Sequence, residues 1–326
     1  MRRLRLLRRI SGGSYGASEL AIFAEGASSE VRNTTAAGVK GDIVTEFLLP
    51  TCARRIIKKM LPARILHACR MARDTKLFQY QREIRFLPQL LKHDQVSIDI
   101  GANIGLFTDI LSRRSSKVLA FEPHPGCAEY LRKLNLRNCD ILEMAASDRF
   151  GESALRVPLR SNQELHALST IEESNDLVSQ SGACGIVRHL VPTVTLDEIL
   201  DQRLAVSDIV GFIKIDVEGH ELAVLKGARS TIERHRPAML IELEFRHGAP
   251  VEETFALLSW QTYRAFALVG SQSLSAITVG ELRALQSDDR FQRKLKQHSY
   301  DGYVNNVIFL PEHFPLLNTM RSGLPD

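Results

Sequence analysis

The chain has 326 residues, 44% of them hydrophobic, enough to bury a sizeable core in one large domain or two small ones. The formal net charge is +4, and Arg2, Arg3, Arg5, Arg8 and Arg9 outweigh it by themselves, so the body is near neutral and carries no nucleic-acid footprint. Five scattered cysteines, Cys52, Cys69, Cys127, Cys139 and Cys184, odd in number and without CxxC spacing, argue against a disulfide framework or a zinc ribbon; a reducing cytoplasm fits them best.

Residues 1–42 are rich in Gly, Ser and Ala behind the arginine cluster, a composition that cannot offset its ordering entropy by burial, and a mobile tail is expected. The arginines could touch anionic lipid or nucleic acid, but a solvated tail is the plainer reading. The stretch "ISGGSYGASELAIFAEGASSE" has no continuous apolar core and no run of 18 apolar residues occurs, so neither a signal peptide nor a membrane span is expected. From 43 to 92 apolar residues recur at helical spacing, with Pro50, Pro62 and Pro88 placed to cut the helices.

At Val96 the pattern changes to short apolar runs between helical stretches: "VSIDI", "KVLAFEP", "ILEMAAS", "GFIKIDVEG" and "AMLIELEF". This rhythm predicts a doubly wound α/β domain over 93–312, its mostly parallel sheet covered on both faces. A polar segment, 150–192, interrupts the rhythm and is expected to be a hairpin and loop serving as a substrate lid. Beyond it "TVTLDEIL" predicts a short strand and a helix capped by Thr195, with Glu198 three residues on. "YVNNVIFLP", 303–311, predicts a last strand, and 313–326 a C-terminal tail.

The first strand runs into "IDIGANIG". Gly101 and Gly105 let the backbone turn tightly and approach a ligand, and the following helix offers free N–H groups. Asp99, ahead of the first glycine, would repel a pyrophosphate but hold an ammonium group. Glu122 ends the next strand at a spacing suited to the two hydroxyls of a ribose, and "AASD" puts Ser147 and Asp148 at the third strand's edge. A solvated acid explains any one of these, whereas together they favour a nucleoside bearing a positive charge.

"SIDIGANIGLFT", "VLAFEPHP", "TVTLDEIL" and above all "IKIDVEGHELAVLKGA" resemble the FkbM-type family of S-adenosylmethionine-dependent methyltransferases, in order over roughly residues 80 to 245. The resemblance implies a class I methyltransferase fold, Rossmann-like, with a seven-stranded sheet whose last strand is antiparallel. It also implies O-methylation of sugars, glycoconjugates or small natural products. On the family pattern Asp99, Gly101, Ala102, Asn103 and Gly105 surround the methionine part of S-adenosyl-L-methionine, Glu122 takes its ribose, and Ser147 and Asp148 lie on its adenine side.

A hydroxyl acceptor must lose a proton, so a base is needed near the fourth and fifth strands. Asp216 ends the fourth strand; if the extended backbone persists, Glu218 shares its face, and His220 opens the next helix as either base or cap. Glu244, with Glu242 and His247, could line the acceptor pocket or be a solvated strand-end acid. Asp216 is the favoured base, with His220, Glu218 and Glu244 as the other candidates. Lys214 reads as a buried ion-pair partner of Glu242 or Asp99. Metal binding stays open at this point: Asp216, Glu218, His220 and Glu244 could jointly offer oxygen and imidazole ligands, but no His/Cys cluster marks a zinc site and no metal is assigned. The alternatives are an NAD-dependent oxidoreductase, which lacks its phosphate-binding glycine pattern here, and a non-catalytic nucleoside-binding module.

Overall fold

The computed structural model describes residues 62–67, 82–269, 274–287, 290–291 and 302–315; the expected N-terminal tail, 1–42, all of the expected C-terminal tail, 313–326, beyond residue 315, and most of the helical lead-in lie outside the described residues. The chain divides into two compact units, Met1–Arg73 and Asp74–Asp326. In the first, 63–67 is helical.

In the second, a 3-10 turn, Arg82–Phe86, and a short helix, Leu87–Leu90, precede the sheet; Pro88 sits in that helix's first turn, where its missing N–H costs nothing. Strands and helices then alternate: β1 (Val96–Ile100), α1 (Leu106–Ser112), β2 (Lys117–Phe121), α2 (Pro125–Leu134), β3 (Cys139–Leu142). Next come β4 (Ala145–Ala146), β5 (Gly151–Arg160), β6 (Gln163–Glu164) and β7 (Gly185–Val194). The alternation resumes with α3 (Leu196–Arg203), β8 (Val210–Ile215), α4 (Glu221–Lys226), α5 (Arg229–His235), β9 (Ala238–Glu242) and α6 (Val251–Trp260). It closes with β10 (Tyr263–Leu268), β11 (Leu274–Ala276), α7 (Val279–Leu285) and β12 (Asn306–Pro311).

The large sheet has the order β11-β10-β12-β9-β8-β1-β2-β3. β3, β2, β1, β8 and β9 are parallel neighbours, and β12 runs antiparallel between β9 and β10. This is the Rossmann-like class I methyltransferase arrangement, with the last strand antiparallel as expected. The sheet has eight strands instead of the expected seven, because "LSA" turns back as β11 onto the edge of β10. Both faces are covered: Met239 and Ile241 belong to one apolar cluster while Ala238 and Leu240, one residue out of phase, belong to the other.

Two expectations change. "ILEMAAS" is not one strand, since the chain leaves the large sheet after Leu142 and Ala145–Ala146 pairs with β7 instead. The segment 150–192 is a hairpin, but its stem is a long ladder from Gly151↔Thr193 to Leu159↔Gly185, and β7 continues through the "short strand" to Val194. Small apolar residues on one face, Leu155, Val157 and Val191 with Ala145, give this four-stranded sheet its own core. Thr195 caps α3 as expected, accepting from Glu198 N–H at 3.3 Å.

Two glycines fix the close approaches. At Gly101, with φ +80°, a Cβ would lie 1.8 Å from the Asp216 carbonyl oxygen. At Gly227, which ends α4, it would lie 2.0 Å from the Ser147 carbonyl oxygen. Both obstacles are backbone, so neither can swing away. Gly227→Ala, at a position with an ordinary helical φ, should therefore destabilise the protein by overpacking alone, by about 1–3 kcal/mol in urea unfolding. A midpoint equal to wild type would show that α4 can shift freely off the β4 loop.

Candidate active site

The C-terminal ends of β1, β2 and β8 surround a cleft that opens to solvent. Gly101 and Asn103 from the glycine turn, Glu122 after β2, and Asp216, Glu218 and His220 after β8 line it. Leu155 of β5 and residues between His166 and Ile171 also line it, so the hairpin insert contributes part of the cleft wall.

Glu122 is nearly fully buried and locked by two main-chain donors: Asn103 N–H to Oε2 at 2.6 Å and His124 N–H to Oε1 at 2.8 Å. Burial pushes its carboxyl up to about 7 despite both bonds. Each oxygen keeps a further acceptor position, and the neighbouring wall of Phe121, Met144 and Ala146 is apolar. A hydroxyl-bearing sugar beside a flat apolar base suits this corner.

The loop after β8 departs from the extended course that would put Asp216 and Glu218 on one face. Glu218 has φ +54°, and its carboxylate turns to His247 Nε2 at 3.0 Å. Asp216 takes the Lys214 ammonium at 3.0 Å, so the direct partner of the buried lysine is neither Glu242 nor Asp99. The insert clamps this loop. Thr170 Oγ1 donates to the Val217 carbonyl at 3.2 Å, Asn175 Nδ2 to the Glu218 carbonyl at 2.7 Å, and Arg156 Nη1 and Nη2 to the Glu172 and Asn175 carbonyls at 2.8 and 3.1 Å.

His220 stands at the N-cap position of the six-residue α4, but its side chain makes no cap bond. The ring instead bridges two partners, with Nδ1 3.0 Å from Glu172 Oε2 and Nε2 2.9 Å from Ser147 Oγ. Burial works against the Glu172 charge, yet the bonds from His220 and Ser174 outweigh it and hold its carboxyl below the usual range. An ionised Glu172 requires the proton on Nδ1, which turns Nε2 toward Ser147 Oγ, whose hydroxyl also has Asp148 Oδ1 as an acceptor at 3.3 Å.

Asp99 does not line the cleft. It is buried, accepts from Thr108 Oγ1 at 2.6 Å, and is pushed up to about 6 by burial. Ala102 and Gly105 shape the turn behind the wall, where Ala102 N–H donates to the Phe121 carbonyl at 3.0 Å and Gly105 opens α1 with φ 86°. Asp148 lies just beyond β4 and does not line the cleft; Oδ1 accepts from the Ser147 hydroxyl at 3.3 Å, and Arg149 is at 3.8 Å. Glu244 is not a solvated acid, being 1% exposed and bonded by Tyr303 Oη at 2.6 Å, by Asn305 and by Arg246. Glu172, Thr170 and Asn175 acquire roles that no spacing announced, because they come from loop positions in an aperiodic stretch, and Ser147, expected on the adenine side of a cofactor, instead contacts His220. No helix among the described residues is long and apolar enough to cross a membrane.

The "Methyltransferase FkbM domain" family matches residues 99–268, just over half of the chain. The methyltransferase sdnD of Sordaria araneosa is 35% identical over 156 residues, 40% of this chain and 59% of its own. The hexuronic acid methyltransferase AglP of Haloferax volcanii is 30% identical over 186 residues, 55% of this chain and 67% of its own. The chain thus spans less than two thirds of the first of these relatives. A methyltransferase FkbM from Methylobacillus flagellatus KT superposes with a TM-score of 0.39 at 19% identity, over 67% of this chain and 44% of that one.

Glu221, the first residue of α4, is buried; Oε1 accepts from Gly219 N–H at 2.9 Å, and Oε2 has no hydrogen-bond partner among the described residues. Burial raises its carboxyl to about 7. The native state therefore holds this proton more tightly than the unfolded chain, and the resulting stability, complete below the unfolded value, is lost as pH rises through about 7. Glu221→Gln should remove that loss. Its unfolding free energy should exceed wild type by up to about 3 kcal/mol at about pH 8 and converge with it near about pH 4. Parallel pH profiles would show that Glu221 is ionised and satisfied in the native state.

Proposed function

The chain belongs to the FkbM methyltransferase family, and from that membership we propose that it is an S-adenosylmethionine-dependent O-methyltransferase acting on a hydroxyl of a sugar, glycoconjugate or small natural product. The observation that carries the reading is the relay Glu172–His220–Ser147, which brings an oriented imidazole to the cleft that Glu122 also lines. One relative being named for a hexuronic acid supports the sugar class of acceptor. The nicotinamide alternative shares the sheet and the acid at Glu122, but the turn after β1 reads G-A-N-I-G behind Asp99 and lacks the phosphate-binding glycine pattern.

The residues present fit the cofactor. Glu122 would take the ribose hydroxyls with its remaining acceptor positions, the turn at Gly101 and Asn103 the amino-acid portion, and Met144 and Leu155 the base. S-adenosylmethionine, when bound, supplies an activated methyl group on a sulfonium with a neutral leaving group. The protein's share is alignment and the acceptor proton. His220 Nε2 receives that proton in place of the Ser147 hydroxyl, and Glu172 steadies the imidazolium that results. Asp216 is already committed to Lys214 and is assigned to holding the acceptor, so the base role passes from it to His220.

Glu122→Ala should weaken S-adenosylmethionine binding in calorimetry tenfold or more, the value of about 1.5–3 kcal/mol for a charged acceptor. Unchanged affinity would displace the cofactor from this corner. In single-turnover transfer from methyl-labelled cofactor to a panel of sugar and natural-product hydroxyls, His220→Gln should lower the rate by about 10²–10⁴ with cofactor affinity kept. Glu172→Gln should lower it in the same sense by roughly 10² or more, through loss of the orienting carboxylate. Wild-type rates in both variants would leave alignment, or Asp216, as the source of the rate.

A further inference from the structure

Beside the cleft but outside the relay, three side chains from separate elements converge. His124 sits at the N-cap of α2, two residues after Glu122; Glu164 is on β6; His189 is on β7. His124 Nε2 lies 2.7 Å from one Glu164 oxygen and His189 Nε2 3.6 Å from the other, and the three ligand atoms all lie within 4.8 Å of one another. They are the one such group of three His, Cys, Asp or Glu among the described residues. The two imidazoles meet edge to face at 5.3 Å, and the His166 ring, which lines the cleft, is 6.0 Å from that of His124.

We propose that His124, Glu164 and His189 form a transition-metal site of the zinc class, which clips the small sheet to the strand-end loop carrying Glu122. Two imidazoles and one carboxylate are the donor set that borderline divalent ions take, with a fourth position left to water. Bonds of about 2.0–2.1 Å in a tetrahedral site put ligand atoms roughly 3.3–3.5 Å apart. The Glu164–His189 edge of 3.6 Å is already near that, and the His124–Glu164 pair opens when a metal replaces the shared proton. The second sign is His189 Nε2, a buried ring nitrogen with no hydrogen-bond partner among the described residues, which a metal would satisfy.

There is an opposing contribution. His124 Nδ1 accepts from Cys127 N–H at 3.3 Å, and ligation at Nε2 leaves the ring proton on Nδ1, so that cap bond is given up. It is one long, neutral bond against three coordinate bonds. The carboxylate and both imidazoles bind in their unprotonated forms at the ligand atoms, so on loading the proton that His124 Nε2 shares with Glu164 is displaced to Nδ1 of the same ring.

The test does not depend on the methyl-transfer reading. Full-length protein without a histidine tag, stripped by chelator, is titrated with Zn2+ in a calorimeter and with Co2+ under visible absorption. One equivalent per chain, the intense bands of four-coordinate cobalt, and a higher melting temperature with zinc are expected. Glu164→Gln and His189→Ala should each weaken metal binding by about 100-fold or more, on the scale that structural ligands contribute. Both side chains are partly exposed, at 34% and 28%, and circular dichroism confirms folding of the variants. If one variant fails to fold, the other and the wild-type cobalt spectrum decide. The pale spectrum of six-coordinate cobalt, no bound metal, or equal affinity in a folded variant would overturn the proposal.

Discussion

Everything at the cleft depends on how closely the exit of β1 approaches the backbone of β8. Only a residue without a Cβ fits at Gly101 against the Asp216 carbonyl, and the contact is held by Asp216 N–H donating to the Ile100 carbonyl at 3.0 Å. From that point a staircase of main-chain bonds crosses the sheet. Gly101 and Ala102 N–H both donate to the Phe121 carbonyl at 3.0 Å, and Glu122 N–H donates to the Leu142 carbonyl at 2.9 Å. Four strand ends are thereby tied at one level, and the functional groups of each leave the sheet from a shared ledge. The relay, the Glu122 corner and the Asp216–Lys214 pair are all built on it.

Burial of charge is the second organising fact. Lys214 is 1% exposed, pairs with Asp216, and stands 5.0 Å over the Phe107 ring. Its positive charge also acts on Asp99 and Glu242, both of which burial drives above the usual carboxylate range. One cation thus serves three acids, on β1, on β9 and just after β8, an arrangement that hydrophobic residues of similar volume would often match or exceed in stability. The ledge carries this cost next to the cleft, as expected where chemistry and not stability sets the residue choice.

The parallel sheet was legible in the sequence because β1, β2, β8 and β9 are apolar runs buried almost throughout, and "KIDVEGHE" and "FEP" marked the strand ends that matter. Gly101, Asn103, Glu122, Asp216, Glu218 and His220 do converge on one cleft. What alternation could not show was the turn in Glu218, where a non-glycine residue adopts a left-handed φ because Asn175, 43 residues away, holds its carbonyl. The same distance problem hid Glu172 and Ser147, partners of His220 at separations of 48 and 73 residues. "ILEMAAS" misled for a different reason: two alanines satisfy either sheet, and only the partner strand β7 decides which one they join.

The position of β12 has a consequence for how the chain is made. β9 and β10 are not hydrogen-bonded to each other; both pair with β12, which follows them by tens of residues and is the last strand among those described. During synthesis the outer edge of β9 therefore waits with Met239, Leu240 and Ile241 unpaired until Asn306–Pro311 has emerged from the ribosome. Such an open apolar edge is the kind of surface that recruits foreign strands. Closure of the sheet is thus a late event in synthesis, and the edge of β9 stays open for the interval between the two segments.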